Sequence, residues 1–516
     1  MNLPSQVLPA IDTLPILPVE NIDSAAIQIE LPCDGRAISE FASDLGGVLS
    51  DTPMFLRGDM PVRLKDSKLH SISADEFITL VENHVEIGAF RSTKEGQRYF
   101  ARKSMRGDIA RTVLASQQFL TQLRPLKRLN PIPLPVMRQS GTIELLRPGY
   151  DVESQTFTAQ GNVVINENMP PEEATGIIDE LTREFPFNDD GRSQAVVVSA
   201  MMNFFCLGLL NAGAIRPVFI FSANAEGAGK TTLAMVCVVP VLGMMPTSSL
   251  PKSDEELRKS LDSAVMEGAF VFVLDNTRDT LRSSVLEAFT TASTWSGRVL
   301  GASRTFTCEN NVTVLVTANG ATISADLRRR SLIADLFVSD ERPELREFRT
   351  PLTASVLLQQ RPRVLSALWS MVRSWDEAGR PPATCYNASF PEWGQIIGGI
   401  VEHAGYNCPM EVTTVDSAAD TESADMAKLA SHMGTQRHNI PLVFNDVATL
   451  AIYNGLFESI LPNDPIFLER AETAKMGKLL AKFNGRKFQQ CFLFQVSGSG
   501  HARRFMVTDL RKEAGV

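Results

Sequence analysis

The order of apolar and polar residues along the chain changes character near residue 170. Beyond that point, short uninterrupted apolar runs alternate with stretches that have a helical period. Uninterrupted apolar runs are typical of parallel strands buried on both faces. The alternation therefore predicts an α/β core over residues 166–345. The strand-like runs are PVFIFSA, FVFVLD and VTVLVTAN, and the helix-like stretches include SDEELRKSLDSAVMEG and RSSVLEAFTTASTW.

The regions on either side of this core have other patterns. Prolines interrupt residues 1–28, which predicts an irregular arm. Mixed strand-like and helix-like runs over 29–165 predict an N-terminal α+β domain, which we interpret as an accessory or collar domain. Residues 346–439 are helical in pattern and include an acidic linker. Residues 440–516 predict helices and then a β-hairpin, from QCFLFQV to HARRFMVTDL.

The composition narrows the classes of partner. The net charge of −9 excludes a chain that coats duplex nucleic acid over its whole surface, so any DNA contact would be local. Seven cysteines without a C-x-x-C pair indicate reduced thiols and a cytoplasmic location. The uncharged run 193–215 is long enough to cross a bilayer, but its Asn and Gly residues favour a buried helix. We expect neither a signal peptide nor a membrane partner.

The stretch FSANAEGAGKTTLAM follows an apolar strand and opens a helix, which is the context of a phosphate-binding loop. Asn224 stands where the pattern G-x-x-x-x-G-K-[ST] has its first glycine, and Asn is one of the few other residues that accept a positive φ. We expect Lys230 to reach the β- and γ-phosphates of ATP and Thr231 to bind Mg²⁺. The predicted nucleotide-binding residues are Asn224, Glu226, Gly227, Ala228, Gly229, Lys230, Thr231 and Thr232.

Polar residues end the next two apolar strands. Asp275 closes FVFVLDN, where a Walker B acid would hold Mg²⁺ together with Thr231. Asn276 follows it, where a second acid is usual; an amide can orient the attacking water but is a poor base. Asn319 closes VTVLVTAN, the place of a sensor residue between the γ-phosphate and that water.

Two basic elements have different predicted roles. In SADLRRRS, Arg329 and Arg330 follow the sensor strand closely enough to serve as arginine fingers for a neighbouring subunit's γ-phosphate. Residues 471–516 carry nine Lys/Arg and three Asp/Glu, and a helix followed by a basic β-hairpin is typical of a winged-helix domain. The predicted DNA contacts there are Lys475, Lys478, Lys482, Arg503 and Arg504.

Several of these stretches resemble the ATPase part of primase-helicase proteins of phages, plasmids and mobile elements, which are related to superfamily 3 helicases. They are EFPFNDDGRSQAVVVSAMM, KSDEELRKSL, VLDNTRDTLRSSVLEAFTTASTWSGRVLG, TANGATISADLRRRS and FPEWGQIIGGIVEHAG, within residues 140 to 410. The resemblance implies an AAA+ fold, a homo-oligomeric ring that is often hexameric, ATP hydrolysis and translocation on single-stranded DNA. In that family the Walker B strand commonly ends in Asp-Asn. The resemblance also implies a pore hairpin, here TWSGRVLGASRTFTCENN, with Arg298 and Arg304 facing the DNA.

Three functions stay open at this point. The first is a DNA helicase or translocase that acts in replication; residues 1–165 show no primase site, so a primase would be a separate partner. The second is an ATP-switched initiator that binds origin duplex DNA without moving along it, which Asn276 favours. The third is an ATPase of a defence system with the same motor.

Overall fold

The computed structural model describes most of the 516-residue chain. The described residues are 27–66, 68–159, 163–187, 189–251, 253–277, 281–299, 305–319, 323–338, 348–349, 351–411, 421–457, 460–469, 472, 476–477, 479–481, 484, 486–488, 491–496 and 504–513. The chain divides into two compact units, Met1–Glu411 and Val412–Val516.

The N-terminal part of the first unit contains helices and several small sheets among its described residues. The helices pack through buried aromatic residues, and Phe77 meets Phe119 edge-on at 5.3 Å between ring centroids. Ser73 and Glu76 form a capping box that fixes the start of α2. The elements are β1 Gln28–Glu30, α1 Ile38–Leu49, β2 Met54–Arg57, β3 Met60–Lys65, β4 Lys68–Ser71, α2 Ala74–His84, β5 Glu86–Ser92, β6 Arg98–Arg102, α3 Gly107–Ala115, α4 Gln117–Leu120, β7 Arg124–Pro125, β8 Arg128–Asn130, β9 Pro135–Met137, β10 Ile143–Leu145, β11 Gly149–Asp151 and β12 Thr156–Thr158.

The predicted α/β core contains a parallel five-stranded sheet. Its strand order is β14-β15-β18-β13-β19, so β13, which leads into the phosphate-loop stretch, lies between β18 and β19. The strands β13, β15 and β18 are largely buried on both faces, as their uninterrupted apolar runs predict, whereas the two-residue edge strand β14 is exposed. The elements are α5 Pro171–Thr182, α6 Arg192–Phe205, β13 Val218–Ala223, α7 Lys230–Leu242, β14 Thr247–Ser248, α8 Asp254–Glu267, β15 Val271–Thr277, α9 Ser284–Phe289, β16 Thr294–Arg298, β17 Thr305–Glu309, β18 Thr313–Asn319, α10 Ala325–Arg328 and β19 Ser331–Leu336.

The run 193–215 that we expected as a buried helix is helical only as far as Phe205, within α6, whose residues are almost all buried. Residues 206–215 are not helical. Among the described residues, no helix has the length and apolar character needed to cross a membrane.

A helical layer completes the first unit. The long helix α12 buries one face against α5, and a π-helical turn at Gly394–Gly398 admits the Met410 side chain next to its two glycines. The elements are α11 Ala354–Gln359, α12 Arg361–Glu377, α13 Pro391–Trp393 and α14 Gly399–His403.

The N-terminal sheet and the α/β core are joined by buried polar contacts. The guanidinium of Arg57 donates to the carbonyl oxygens of Val265 at 2.9 Å and Lys127 at 3.1 Å, and burial lowers its pKa. Gly58 has φ 58° and lies against the Thr307 carbonyl of β17 so closely that a Cβ would clash. The turn between β2 and β3 therefore sits directly on the β16–β17 hairpin.

The second unit is a helix-and-sheet domain of its own. Helix α15 buries Met426, Leu429 and Met433 in the core that β22 and β23 line. The antiparallel pairing of β22 with β23 is the predicted hairpin. The elements are α15 Thr421–Gln436, β20 Leu442–Val443, α16 Phe444–Tyr453, a 3₁₀ turn Pro465–Phe467, β21 Arg486–Phe488, β22 Cys491–Val496, β23 Arg504–Asp509 and α17 Leu510–Glu513, and the sheet order is β20-β23-β22-β21.

This second unit differs from the expected boundary at 439/440. We expected the acidic stretch that begins at residue 411 to be a solvated helix or linker, whereas it contains helix α15, which packs into the core of the second unit. In the sequence, the acidic surface residues of this helix obscure the narrow stripe of apolar residues that packs against the sheet. The assignment as a winged helix remains a prediction.

Candidate functional site

The predicted phosphate loop connects the end of β13 to the start of α7. Gly227 and Gly229 have φ values of 76° and 95°, in the left-handed region that a side chain disfavours. Gly229 precedes Lys230, the first residue of α7, so the free N–H groups of this helix end face the loop. A Cβ on Gly229 would contact the rings of Phe185 and Phe348, which pack together at 5.3 Å. Both positions therefore favour glycine by their conformation, while the ring contacts at Gly229, 3.4–3.7 Å from a Cβ, are ordinary van der Waals distances.

Asn224 acts differently from our expectation. It is not among the described residues with positive φ, so it does not replace the usual glycine in that role. Its amide instead donates to the Val338 carbonyl and accepts from the Val338 N–H, both at 2.9 Å. This paired contact ties the first residue of the loop to the chain that follows β19.

Lys230 lies inside the loop that precedes it. The residue is 6% exposed, and its ammonium group donates to the Ala225 carbonyl at 3.2 Å. Burial lowers the pKa of this ammonium, while the nearby Glu226 and Asp275 carboxylates act in the opposite direction. A buried cation at the start of a helix is well suited to attract phosphate oxygens.

Asp275 lies next to the phosphate loop, as predicted. One of its carboxylate oxygens, Oδ1, accepts hydrogen bonds from Thr231 Oγ1 at 2.9 Å and from Thr317 Oγ1 at 2.6 Å. Thr231 belongs to the first turn of α7 and Thr317 to β18, so three elements converge on this carboxylate. Thr231 and Asp275, the two predicted Mg²⁺ ligands, are thus in direct contact.

A β-bulge places Asn276 beside the sensor position. The pairing of β15 with β18 shifts by one residue between Leu274 and Thr277, and Asn276 takes a left-handed φ of 58°. Its N–H donates to Thr317 Oγ1 at 2.8 Å, and its amide oxygen accepts from Asn319 Nδ2 at 3.0 Å. The bulge turns the Asn276 amide towards Asn319, so the two predicted water-orienting residues touch.

Thr317 is the functional residue that the sequence interpretation missed. Its single hydroxyl donates to Asp275 and accepts from Asn276, and it is buried. The signal was present: Thr317 interrupts the apolar run VTVLVTAN two residues before Asn319. A polar residue inside a doubly buried strand needs a partner, and the ends of the adjacent strands supply it.

The two predicted finger arginines have different surroundings. Arg329 is exposed and pairs with Asp326 at 2.8 Å, whereas Arg330 is largely covered and donates to the Glu287 carbonyl at 3.4 Å. Within the described residues, neither arginine hydrogen-bonds to the phosphate loop or to Asp275. Of the two, only Arg329 is available to reach another subunit.

The predicted DNA-facing residues are only partly described. Strands β16 and β17 form the expected antiparallel hairpin, and Asp262 anchors it by accepting from the Trp295 indole at 2.7 Å and the Arg298 N–H at 3.1 Å. Arg298 is exposed on this hairpin, and Arg504 is exposed at the start of β23. Arg304, Lys475, Lys478, Lys482 and Arg503 lie outside the described residues.

The residues present fit a nucleotide with Mg²⁺. Mg²⁺ usually takes one or two protein ligands and completes its shell with water and phosphate oxygens. The site offers the Thr231 hydroxyl and the Asp275 carboxylate, and no larger cluster of metal-ligating side chains occurs among the described residues. The side-chain amide oxygen of Asn319, Oδ1, is buried without a partner in the described part of the chain, which leaves an acceptor for a water or ligand.

Comparison with known proteins gives only distant similarity. No family model matches the chain, and no curated protein matches it. Among solved structures, it is similar to the C-terminal region of NrS-1 in an A-form apo structure, with 11% identity, 90% of this chain and 99% of that chain covered, and a TM-score of 0.41. It is also similar to an active helicase, Cch of SCCmec type IV, with 11% identity, 90% and 99% covered, and a TM-score of 0.31. It is also similar to the JCV helicase, with 17% identity, 51% of this chain and 74% of that chain covered, and a TM-score of 0.23. All three TM-scores are below 0.5.

Proposed function

We propose that the chain is an ATP-hydrolysing DNA helicase or translocase with an AAA+ fold, acting as a homo-oligomeric ring, often hexameric in this class. Its setting would be DNA replication of a phage, plasmid or mobile element. One observation supports this above all. The phosphate loop meets Asp275, Thr317, Asn276 and Asn319 in a continuous hydrogen-bonded chain across three adjacent elements.

Each residue of this chain has a role that its geometry supports. The N–H groups of the loop and Lys230 would hold the phosphates, and Thr231 with Asp275 would hold Mg²⁺. When bound, Mg²⁺ neutralises charge that develops on the phosphate oxygens. Asn276 and Asn319 would orient the attacking water through their amide groups. Neither is a base, so positioning and electrostatics would supply most of the rate.

The site would be completed by a neighbouring subunit. Arg329 is exposed, and an arginine beside the γ-phosphate contributes about 10³- to 10⁵-fold to the rate of related enzymes. Arg330 is held by its own subunit and would support the position of the α10 turn instead. DNA would contact Arg298 and Arg304 on the hairpin and the basic residues of the second unit, which we propose as a winged-helix domain.

A second function has one observation in its favour. Asn276 is an amide where a carboxylate would promote hydrolysis, so the chain could bind ATP as a switch and oligomerise on origin DNA without moving along it. Both functions use the same nucleotide site and differ in whether DNA changes the hydrolysis rate.

The test is the steady-state ATPase rate of the purified chain with and without single-stranded DNA. For a motor we expect DNA to stimulate hydrolysis and Lys230→Ala to abolish it. ATP binding without DNA stimulation would favour the switch. Unchanged hydrolysis in Lys230→Ala would contradict the site itself.

Mixing variants tests the shared site. Lys230→Ala protein and Arg329→Ala protein should each be inactive alone and recover part of the activity together, because mixed rings contain some intact interfaces. Arg330→Ala is the matched control. It should lose stability and should not restore activity when mixed with the Lys230→Ala protein. Full activity of a strictly monomeric preparation would refute the assembly.

A further inference from the structure

Strands β5 and β6 form a ribbon, residues 86–103, whose outer half is exposed on both faces. The strands pair antiparallel, with Arg91 opposite Tyr99 and Phe90 opposite Phe100. Because successive side chains alternate between faces, Arg91, Tyr99 and Lys103 share one face. On the other side of the sheet β5 pairs with β1, so β6 is an edge strand.

The ribbon is basic in an acidic protein. Residues 86–106 contain six Lys/Arg and two Asp/Glu, a local net charge of +4 against −9 for the whole chain. Arg102 pairs with Glu86, and Arg106 pairs with Asp108. Within the described part of the chain, Arg91, Lys94 and Lys103 form no ion pair. Their charge is therefore available to a partner.

The ribbon also presents aromatic surface. Tyr99 is 46% exposed and Phe90 is 40% exposed. The Arg98 guanidinium lies 4.3 Å from the Phe90 ring centroid, so that ring is partly covered. On the opposite face, no other ring or cation among the described residues packs on Tyr99. Arg91 is its cross-strand neighbour, and the Lys103 N–H extends the same pairing by donating to the Ile87 carbonyl at 2.9 Å.

We propose that this face of the ribbon binds single-stranded nucleic acid, with Tyr99 stacking on a base and Arg91 and Lys103 contacting phosphates. Exposed aromatic rings between cations suit the binding of single-stranded nucleic acid of any sequence, because every base has a face for stacking and every phosphodiester linkage carries a charge. Duplex DNA hides its base faces and would use only the cations. A protein partner is disfavoured because protein interfaces are depleted in lysine.

This site goes beyond the proposed motor, because it lies outside the α/β core and needs no nucleotide. The experiment therefore uses the full chain carrying Lys230→Ala, in which ATP turnover plays no part. The probe is a fluorescein-labelled oligo(dT) of about 20 nucleotides, longer than the roughly 4–16 nucleotides of common single-strand sites. Binding is measured by anisotropy over a salt series. The variant is Arg91→Ala/Tyr99→Ala/Lys103→Ala.

We expect the variant to bind oligo(dT) roughly 10- to 100-fold more weakly, from one lost stacking contact and two lost phosphate contacts. The dependence of log K on log salt should flatten by about 1.4, since each lost contact removes about 0.7 for a single strand. Tyr99→Phe alone should bind as the parent does. The control Tyr386→Ala/Arg363→Ala removes an exposed tyrosine and an exposed arginine elsewhere in the first unit and should change neither value.

A second measurement is independent of folding in the variants. The Lys230→Ala chain is photocrosslinked to an oligonucleotide containing 5-iodouridine and digested with trypsin, and the adduct should appear on the peptide Tyr99–Arg102. Binding of the triple variant at parental affinity, or crosslinks only elsewhere, would overturn the proposal. Parental affinity of the triple variant would mean that the ribbon either docks a protein or has no binding role. ATPase of the chain with Lys230 intact, measured without DNA, reports on the motor separately.

Discussion

Replacing Thr317 by valine keeps the branched shape of the side chain and removes one hydroxyl group. That hydroxyl donates to Asp275 Oδ1 at 2.6 Å and accepts from the Asn276 N–H at 2.8 Å. The substitution therefore leaves a carboxylate with one partner fewer and a bulge N–H without its acceptor. Nothing that would touch ATP directly is changed, so the variant isolates the positioning of the predicted Mg²⁺ ligand.

The size of the effect follows from these two bonds. A hydrogen bond to a charged group contributes about 1.5–3 kcal/mol, and an unpaired buried donor costs about 1–3 kcal/mol. Residues that orient a metal ligand typically change affinity or activity about 10- to 100-fold when mutated. We expect the ATPase rate of Thr317→Val to fall by such a factor and the Mg²⁺ concentration for half-maximal rate to rise.

Thr313 provides a matched control on the same strand. It is equally buried, and its hydroxyl accepts from Asn203 Nδ2 at 3.1 Å, away from Asp275. Thr313→Val should lower the unfolding temperature by a similar amount and leave the Mg²⁺ dependence unchanged, while Thr317→Ser should keep most activity. ATPase and Mg²⁺ dependence at parental values in Thr317→Val, or equal losses in both valine variants, would refute the reasoning.

Three further substitutions test separate features. Asn276→Gly keeps the left-handed φ, which glycine adopts readily, so the unfolding temperature should change little while ATPase falls with the lost amide; a drop in both would contradict the bulge geometry. Gly58→Ala should lower the unfolding temperature more than Gly35→Ala, because both have positive φ but only Gly58 is pressed against the β16–β17 hairpin; equal shifts would refute that contact. Asn224→Ala frees the loop from the chain after β19 and should raise the KM for ATP; an unchanged KM would show that this tie is dispensable.

The short-range pattern of apolar and polar residues was sufficient to predict the α/β core. The apolar runs predicted buried parallel strands, and Asp275 and Asn319 were identified as candidate site residues because each ends one of these strands. The phosphate loop was also predictable, since its glycines and Lys230 lie within one stretch. These are features in which the partners are close in sequence or fixed by the topology of the sheet.

Other features depend on contacts that a pattern does not specify. Asn224 was assigned to a positive φ, but its role comes from Val338, more than a hundred residues later. Thr317 was counted as part of an apolar strand, although the bulge at Asn276 gives it two partners. The helix at 421–436 was expected to be a solvated helix or linker, because its buried stripe is narrow and its surface is acidic. In each case a distant segment decides the conformation.

The contact of Arg57 and Gly58 with the core affects how the protein can be divided. A fragment that starts at residue 166 would leave the Val265 carbonyl and the outer side of β17 without their partners. Conversely, residues 27–165 alone would leave the Arg57 guanidinium with the Lys127 carbonyl but without the Val265 carbonyl and the burial that the core provides. The two regions should therefore unfold in one cooperative transition. For the same reason, recombination between related proteins should exchange both regions together.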